Sequence, residues 1–264
     1  YEKFLRAAEE VSWRGDFPSF NYILTSSGWR QEHNGFSHQN PSFISGMLDK
    51  SGCKSKLYFP AGANSMLVVL EKCLKSRNEI NVIVVGKTFE PIWITPEEAK
   101  KELVRGLMTW EFASDKNPDI VFSAVGDYLT KEALAAIKYL KERLKIKIRF
   151  VNIMELTALG VGNQDCTAPF NDFNDYFTKD KPVIFNYHGY PTDLNSLLIK
   201  QGNTERFSVN GYLEQGSTTT PFDMQVRNGT SRYHLVIEAA NKLCEGKVIS
   251  KKECLKVVKE FEKK

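Results

Sequence analysis

Two of the chain's four histidines, His33 and His38, fall in one polar stretch, Trp29–Gln39 (WRQEHNGFSHQ). Gln31, Asn34, Ser37 and Gln39 surround them, so imidazoles, amides and a hydroxyl lie close together along the chain. Imidazole gives and takes protons near neutral pH, and amides orient hydroxyls or phosphate oxygens. The two histidines are five residues apart with Gly35 between them. Helical metal-binding pairs sit at i and i+4, so this spacing argues against a metal clamp. An active-site loop and a polar connection that caps a helix both fit the residue types.

A second group able to do chemistry is Lys87, in Gly86-Lys87-Thr88 after the apolar run Asn81–Val85. A phosphate-cradling P-loop needs a glycine where Asn81 stands, inside the run, so that reading fails. What remains is an ammonium at a strand end, placed to meet an anion or simply to stay solvated. Asp127 follows Gly126 at the end of another run, and Tyr187-His188-Gly189-Tyr190 follows a third, where it reads as packed core. Glu214–Met224 (EQGSTTTPFDM) reads as a loop whose hydroxyls bond nearby backbone, with phosphate contact as the alternative.

The elements that must position these groups are short apolar runs alternating with amphipathic helices. Asn81–Val85, Ile120–Val125, Ile148–Ile153 and Pro182–Tyr187 are continuous rather than alternating, as in strands covered on both faces. Lys56–Phe59 is a weaker strand candidate. Thr95-Pro96-Glu97-Glu98 is a capping box with proline at the first helical position, and Ala99, Leu103, Leu107 and Trp110 continue one helical face. Leu134, Ile137, Leu140 and Leu144 repeat that pattern. Ser250–Glu253 is a second capping box, opening a helix whose face is Cys254, Val257, Val258 and Phe261.

This order predicts an α/β chain of mostly parallel sheets with helices on both faces. Ala113–Pro118 (ASDKNP) reads as a linker between an amino-terminal piece, residues 1–112, and a carboxy-terminal α/β domain, residues 119–264. The first piece offers only two strand candidates, at 56–59 and 81–85, and residues before 50 read as helix and loop. A doubly wound sheet holds about five or six strands. The first piece is therefore expected to be part of a larger domain.

Composition narrows the class. The hydrophobic fraction of 42% and charged fraction of 26% are those of soluble globular chains. No apolar stretch of about eighteen residues occurs, so no membrane helix is expected. The opening YEKFLRAAEE lacks the order of a secretory signal, and the expected compartment is the cytoplasm. The net charge of +4 is spread out, with no basic arm for nucleic acid. Five cysteines, at 53, 73, 166, 244 and 254, form no CxxC pair, which points to a reducing compartment and away from structural zinc. The sequon Asn228-Gly229-Thr230 carries no weight without a secretory signal.

Four stretches, taken together and in order, closely resemble the phosphoketolases, thiamine diphosphate-dependent enzymes. They are WRQEHNGFSHQNP (29–41), Gly86-Lys87 with Trp93 six residues on, TKDKPVIFNYHGY (178–190) and EQGSTTTPFDM (214–224). The resemblance covers essentially the whole chain. It implies a transketolase-like fold: the end of the domain that binds the cofactor's pyrimidine, followed by a whole carboxy-terminal domain. It implies cleavage of xylulose 5-phosphate or fructose 6-phosphate by inorganic phosphate, to acetyl phosphate and an aldose phosphate. Carried over by position, His33 and His38 face the reacting carbons, Gln31 contacts the intermediate, and Asn34 and Lys87 bind phosphate. Thiamine diphosphate and Mg²⁺ are expected in the full-length homodimer and not on this chain alone, because the family's diphosphate and metal motif and its activating glutamate are missing from it. No cofactor-binding residue is assigned within the chain. Many members have aspartate where Gly62 stands and glutamine where Thr88 stands, and residues 160–168 lack a histidine-containing pattern often found there. The rivals are a non-catalytic assembly or regulatory module and a transketolase-like transferase that makes no acetyl phosphate.

Overall fold

Continuous apolar runs become strands buried on both faces. In the computed structural model, which describes residues 1–25, 29, 41–49, 54–160, 172–213 and 219–264, β5 (Ile120–Val125), β6 (Ile148–Ile153) and β7 (Val183–Tyr187) form the centre of a five-stranded sheet. Side chains alternate across it. Ile120, Phe122 and Ala124 enter one core, with helices α5 (Asp127–Leu144), α9 (Arg232–Glu245) and α10 (Lys251–Phe261). Val121 and Val125 enter the other, with Phe185 and with Leu194, Leu197 and Leu198 of α7 (Pro191–Leu198). The strand order is β4-β6-β5-β7-β8, with β4 (Leu107–Thr109) antiparallel and the rest parallel, β8 being Phe207–Asn210.

The first sheet has three parallel strands in the order β1-β3-β2: Phe20–Leu24, Ile80–Val84 and Ser55–Tyr58. Helix α1 (Glu2–Glu9) contributes Leu5 to its core, and α3 (Ala63–Lys75) follows β2. Leu57, Phe59, Val82 and Val84 share one apolar cluster with Val121, Val125 and Phe185, so the two sheets are welded by a common core.

Three expectations change. Residues before 50 are not helix and loop alone, because β1 pairs in register with β3, Phe20 against Ile80 through Leu24 against Val84. Phe20, Tyr22 and Ile23 remain exposed, so the run lacks the continuous burial pattern that marks the other strands. The helix opened by Thr95, α4 (Pro96–Arg105), keeps its capping box but does not reach Leu107 or Trp110. Gly106 ends it in the left-handed region, at φ 77°, and its carbonyl takes the amides of Met154 and Glu155, each at 2.8 Å. A Cβ there would lie 2.6 Å from that of Ala158. The chain then leaves as β4. The second sheet thus draws a strand from before residues 113–118, and the partition between sheets falls earlier than 112/119.

The second capping box is present as expected, Ser250 accepting from Glu253 N and the Glu253 carboxylate accepting from Ser250 N at 3.0 Å. Among the described residues no helix is long and apolar enough to cross a membrane.

Candidate active site at the facing carboxyl edges

Parallel sheets bind ligands beyond the carboxyl ends of their strands, and here the carboxyl edges of the two sheets face each other. Strands β1 and β3 are neighbours, closed at the top by Val85 N donating to Leu24 O at 3.0 Å. From that edge β1 runs on toward Trp29 and the histidine segment, and β3 into Gly86-Lys87. Beyond β2, Phe59 N donates to Met154 O at 2.7 Å, and its ring lies 5.4 Å from that of His188, beyond β7.

Trp29 is fully buried in this seam. Its Nε1 donates to His188 O at 3.0 Å, and its ring meets Tyr212 edge-on at 5.8 Å in a cluster with Leu129 and Met224. Past the histidine segment, Pro41 opens helix α2 (Ser42–Leu48), and Ser45 Oγ donates to Asp193 Oδ2 at 2.7 Å. Residues on both sides of segment 30–40 therefore bond just beyond β7, Trp29 to His188 in the turn and Ser45 to Asp193 in the first turn of α7. Gln31, His33, Asn34 and His38 lie outside the described residues.

His188 sits against Gly126, whose φ of 104° suits glycine and whose missing Cβ would lie 3.2 Å from His188 Nδ1. The ring is 6% exposed. Desolvation pushes its pKa down to about 4, against a weaker upward pull from Asp127. It is neutral at pH 7, and among the described residues Nδ1 meets no hydrogen-bonding partner. Tyr187 beside it is also buried, and burial, reinforced by Asp193, raises its pKa far above the usual phenol range. Tyr187 and His188 thus pack, as the sequence suggested, rather than present a group poised for proton transfer. The Asp127 carboxylate accepts from the amide of Tyr128 at 2.6 Å at the start of α5, where the helix dipole favours a negative charge.

Lys87 is exposed at the end of β3. The strap that carries it, residues 86–94, folds over the amino terminus of α3. There Asn64 Nδ2 donates to Ile94 O at 2.8 Å. A Cβ on Gly62 would lie 3.0 Å from Pro91 O and 3.6 Å from Trp93 Cδ1. Gly62 is extended, at φ −170°, so the strap needs a small residue there for space and not for conformation.

Of the 214–224 loop, residues 214–218 lie outside the described residues. Thr220 accepts from Asp223 N at 3.3 Å and caps α8 (Pro221–Arg227), a backbone bond of the kind expected. Among the described residues no three His, Cys, Asp or Glu side chains converge to hold a metal ion. Trp29 is the residue whose part was not read from sequence. Its signal was a large aromatic at the mouth of a polar stretch, but its partner lies 159 positions away.

Comparison with known proteins identifies the family and the fold. The profile of the XFP C-terminal domain matches residues 87–264, and that of D-xylulose 5-phosphate/D-fructose 6-phosphate phosphoketolase matches residues 1–76. A probable phosphoketolase of Brucella abortus is 44% identical over 256 residues, which cover 95% of this chain and 32% of that one. One of Chlorobaculum tepidum is 45% identical over 240 residues, covering 89% and 30%. The chain thus spans about a third of the length of these relatives. In fold it is similar to a Pichia stipitis transketolase solved with sedoheptulose 7-phosphate, at TM-score 0.63 and 15% identity, covering 93% of this chain and 33% of that one. It is also similar to a split-gene transketolase solved as an inactive beta4 tetramer, at TM-score 0.57 and 15% identity, covering 85% and 66%. The chain belongs to the phosphoketolase family, whose members use thiamine diphosphate, on a transketolase-like fold.

Proposed function

We propose that this chain supplies the substrate side of a phosphoketolase active site within a protein about three times its length. The reaction cleaves xylulose 5-phosphate or fructose 6-phosphate with inorganic phosphate, giving acetyl phosphate and a shorter aldose phosphate. A Pichia stipitis transketolase variant of the same fold has been solved with fructose 6-phosphate, which fits a sugar phosphate as ligand. The observation that carries the reading is the 44% identity sustained over 95% of the chain. The placement of Lys87 at a strand's carboxyl end agrees with it.

In this reading the Lys87 ammonium and the Asn34 amide hold substrate phosphate by charge-assisted and neutral hydrogen bonds. His33 and His38 carry protons on their ring nitrogens, as the departure of a substrate hydroxyl as water requires, and Gln31 contacts the reacting carbons. A diphosphate-bound divalent cation needs several oxygen ligands. The resemblance puts the cofactor's metal site in the remainder of the polypeptide, since the family's diphosphate and metal motif is missing from this sequence. This chain alone is expected to be inactive, and the whole enzyme to be a cytoplasmic homodimer.

The test uses the full-length protein with Mg²⁺ and thiamine diphosphate, measuring acetyl phosphate formed from fructose 6-phosphate and phosphate. Aldehyde transfer without phosphate consumption would instead identify a transketolase-like transferase. Turnover of neither kind would leave an assembly or regulatory module. Given activity, His38→Ala should lower the rate by about 100-fold or more, the scale of a lost general acid–base group, and an unchanged rate removes His38 from the chemistry.

A further inference from the structure

Helices α9 and α10 form a tight antiparallel pair at the end of the chain. The turn between them is fixed by Val248 N donating to Leu243 O at 2.8 Å and by the capping box at Ser250. Cys244 lies in the last turn of α9, and Cys254 in the first turn of α10, where its amide bonds Ser250 O at 3.0 Å. Both cysteines are free thiols. Cys254 Sγ points back at α9, 3.4 Å from Asn241 Oδ1. Asn241 and Cys244 are three residues apart on that helix and share a face, so Cys244 lies on the face that Cys254 approaches. Burial, followed by the neighbouring Cys244 thiol, raises the Cys254 pKa. Cys244 is the more exposed of the two.

We propose that Cys244 and Cys254 form a redox-active dithiol that hydrogen peroxide closes to a disulfide, stapling the last helix to the one before it. Cys244, as thiolate, attacks the peroxide oxygen; the O–O bond breaks, and with one proton taken up water leaves and Cys244 becomes a sulfenic acid. The Cys254 sulfur then attacks the Cys244 sulfur, the S–O bond breaks, and the thiol proton departs with the hydroxyl as a second water. Two thiols lose two electrons, and one peroxide becomes two waters. The ring closed spans only residues 244–254, and both of its ends are already held by helical backbone. In a reducing compartment the resting state is the dithiol, and reductant reopens the bond.

The experiment treats the full chain with graded hydrogen peroxide, blocks remaining thiols with an alkylating agent, and maps peptides by mass. The expected result is one linked peptide pair joining 244 to 254, lighter by about 2 Da for two lost hydrogens and restored by dithiothreitol. In Cys254→Ser, dimedone should trap Cys244 as a sulfenic acid, which the unaltered chain would consume. The proposal fails if both cysteines are recovered separately alkylated at peroxide doses that oxidise other cysteines. It also fails if Cys244 links to Cys53, Cys73 or Cys166 instead. The map of the unaltered chain decides the matter even if the variant does not fold.

Discussion

The two sheets solve burial in different ways. In the second, β5 and β7 are buried at every position, and helices close both faces. In the first, β1 leaves Phe20, Tyr22 and Ile23 at 45%, 39% and 44% exposure; Phe20 meets the rings of Tyr1 and Tyr22, and Tyr22 meets Phe43 across the surface. Strands β2 and β3 are held on one side by the core shared with the second sheet and on the other by Val69 and Cys73 of α3, which meet Tyr58 and Ile83. The outer strand, β1, adds hydrogen bonds and little hydrophobic stabilisation. The facing edges therefore owe their geometry mainly to the second sheet.

Truncating the interior of that sheet should cost most. Phe122→Ala removes a fully buried ring and is expected to lower stability by about 3–5 kcal/mol in urea unfolding; a loss under about 1 kcal/mol would mean this core is no tighter than the outer strand. Glu132→Gln is next. The buried Glu132 carboxylate accepts from Arg232 N, Nε and Nη2 at 2.8, 2.9 and 2.6 Å, tying α5 to α9. Breaking such a pair leaves Arg232 without its counter-charge, at about 3 kcal/mol.

The third prediction concerns pH. His188 binds its proton near pH 4 when folded and near 6.5 when unfolded, so its contribution is present above 6.5 and is lost as pH falls toward 4. Glu102 has the opposite slope. Its carboxyl, fully buried beside Asn152, is raised to about 8 chiefly by desolvation, and its contribution is lost as pH rises from 4.5. Comparing wild type with His188→Asn cancels the Glu102 contribution. Across pH 4 to 6.5 the wild type should gain roughly 3 kcal/mol relative to the variant. A flat difference would show that His188 is hydrated in the seam.

Smaller again is Trp29→Phe, which keeps an aromatic ring but drops the bond to His188 O. It should cost about 1 kcal/mol, read from denaturant midpoints. The smallest effect belongs to the first sheet: Tyr22→Thr should stay within about 0.5 kcal/mol of wild type. A larger loss would show that β1 carries more of the fold than its exposure implies.

How much was legible follows the same contrast. Ile120–Val125 and Ile148–Ile153 are readable because burial on both faces writes mainly apolar runs, rich in β-branched and aromatic residues. Phe20–Leu24 and Phe207–Asn210 are only partly covered, so the burial that marks the other strands leaves a weaker trace in them. Leu107 and Trp110 kept helical spacing by coincidence, and Gly106 was the stop signal that the periodicity overrode. At the candidate site, imidazoles, amides and an ammonium announce themselves by type. The anchoring of Trp29 on His188 and of Ser45 on Asp193 depends on contacts between distant positions, which no local pattern records.

The placement of β4 has a practical consequence for anyone dividing this gene. An open reading frame started at residue 119 would strip β6 of its antiparallel neighbour and bare a row of unpaired amides and carbonyls, inviting self-association. Starting at Thr95 instead would keep the capped helix, its glycine stop and the edge strand together.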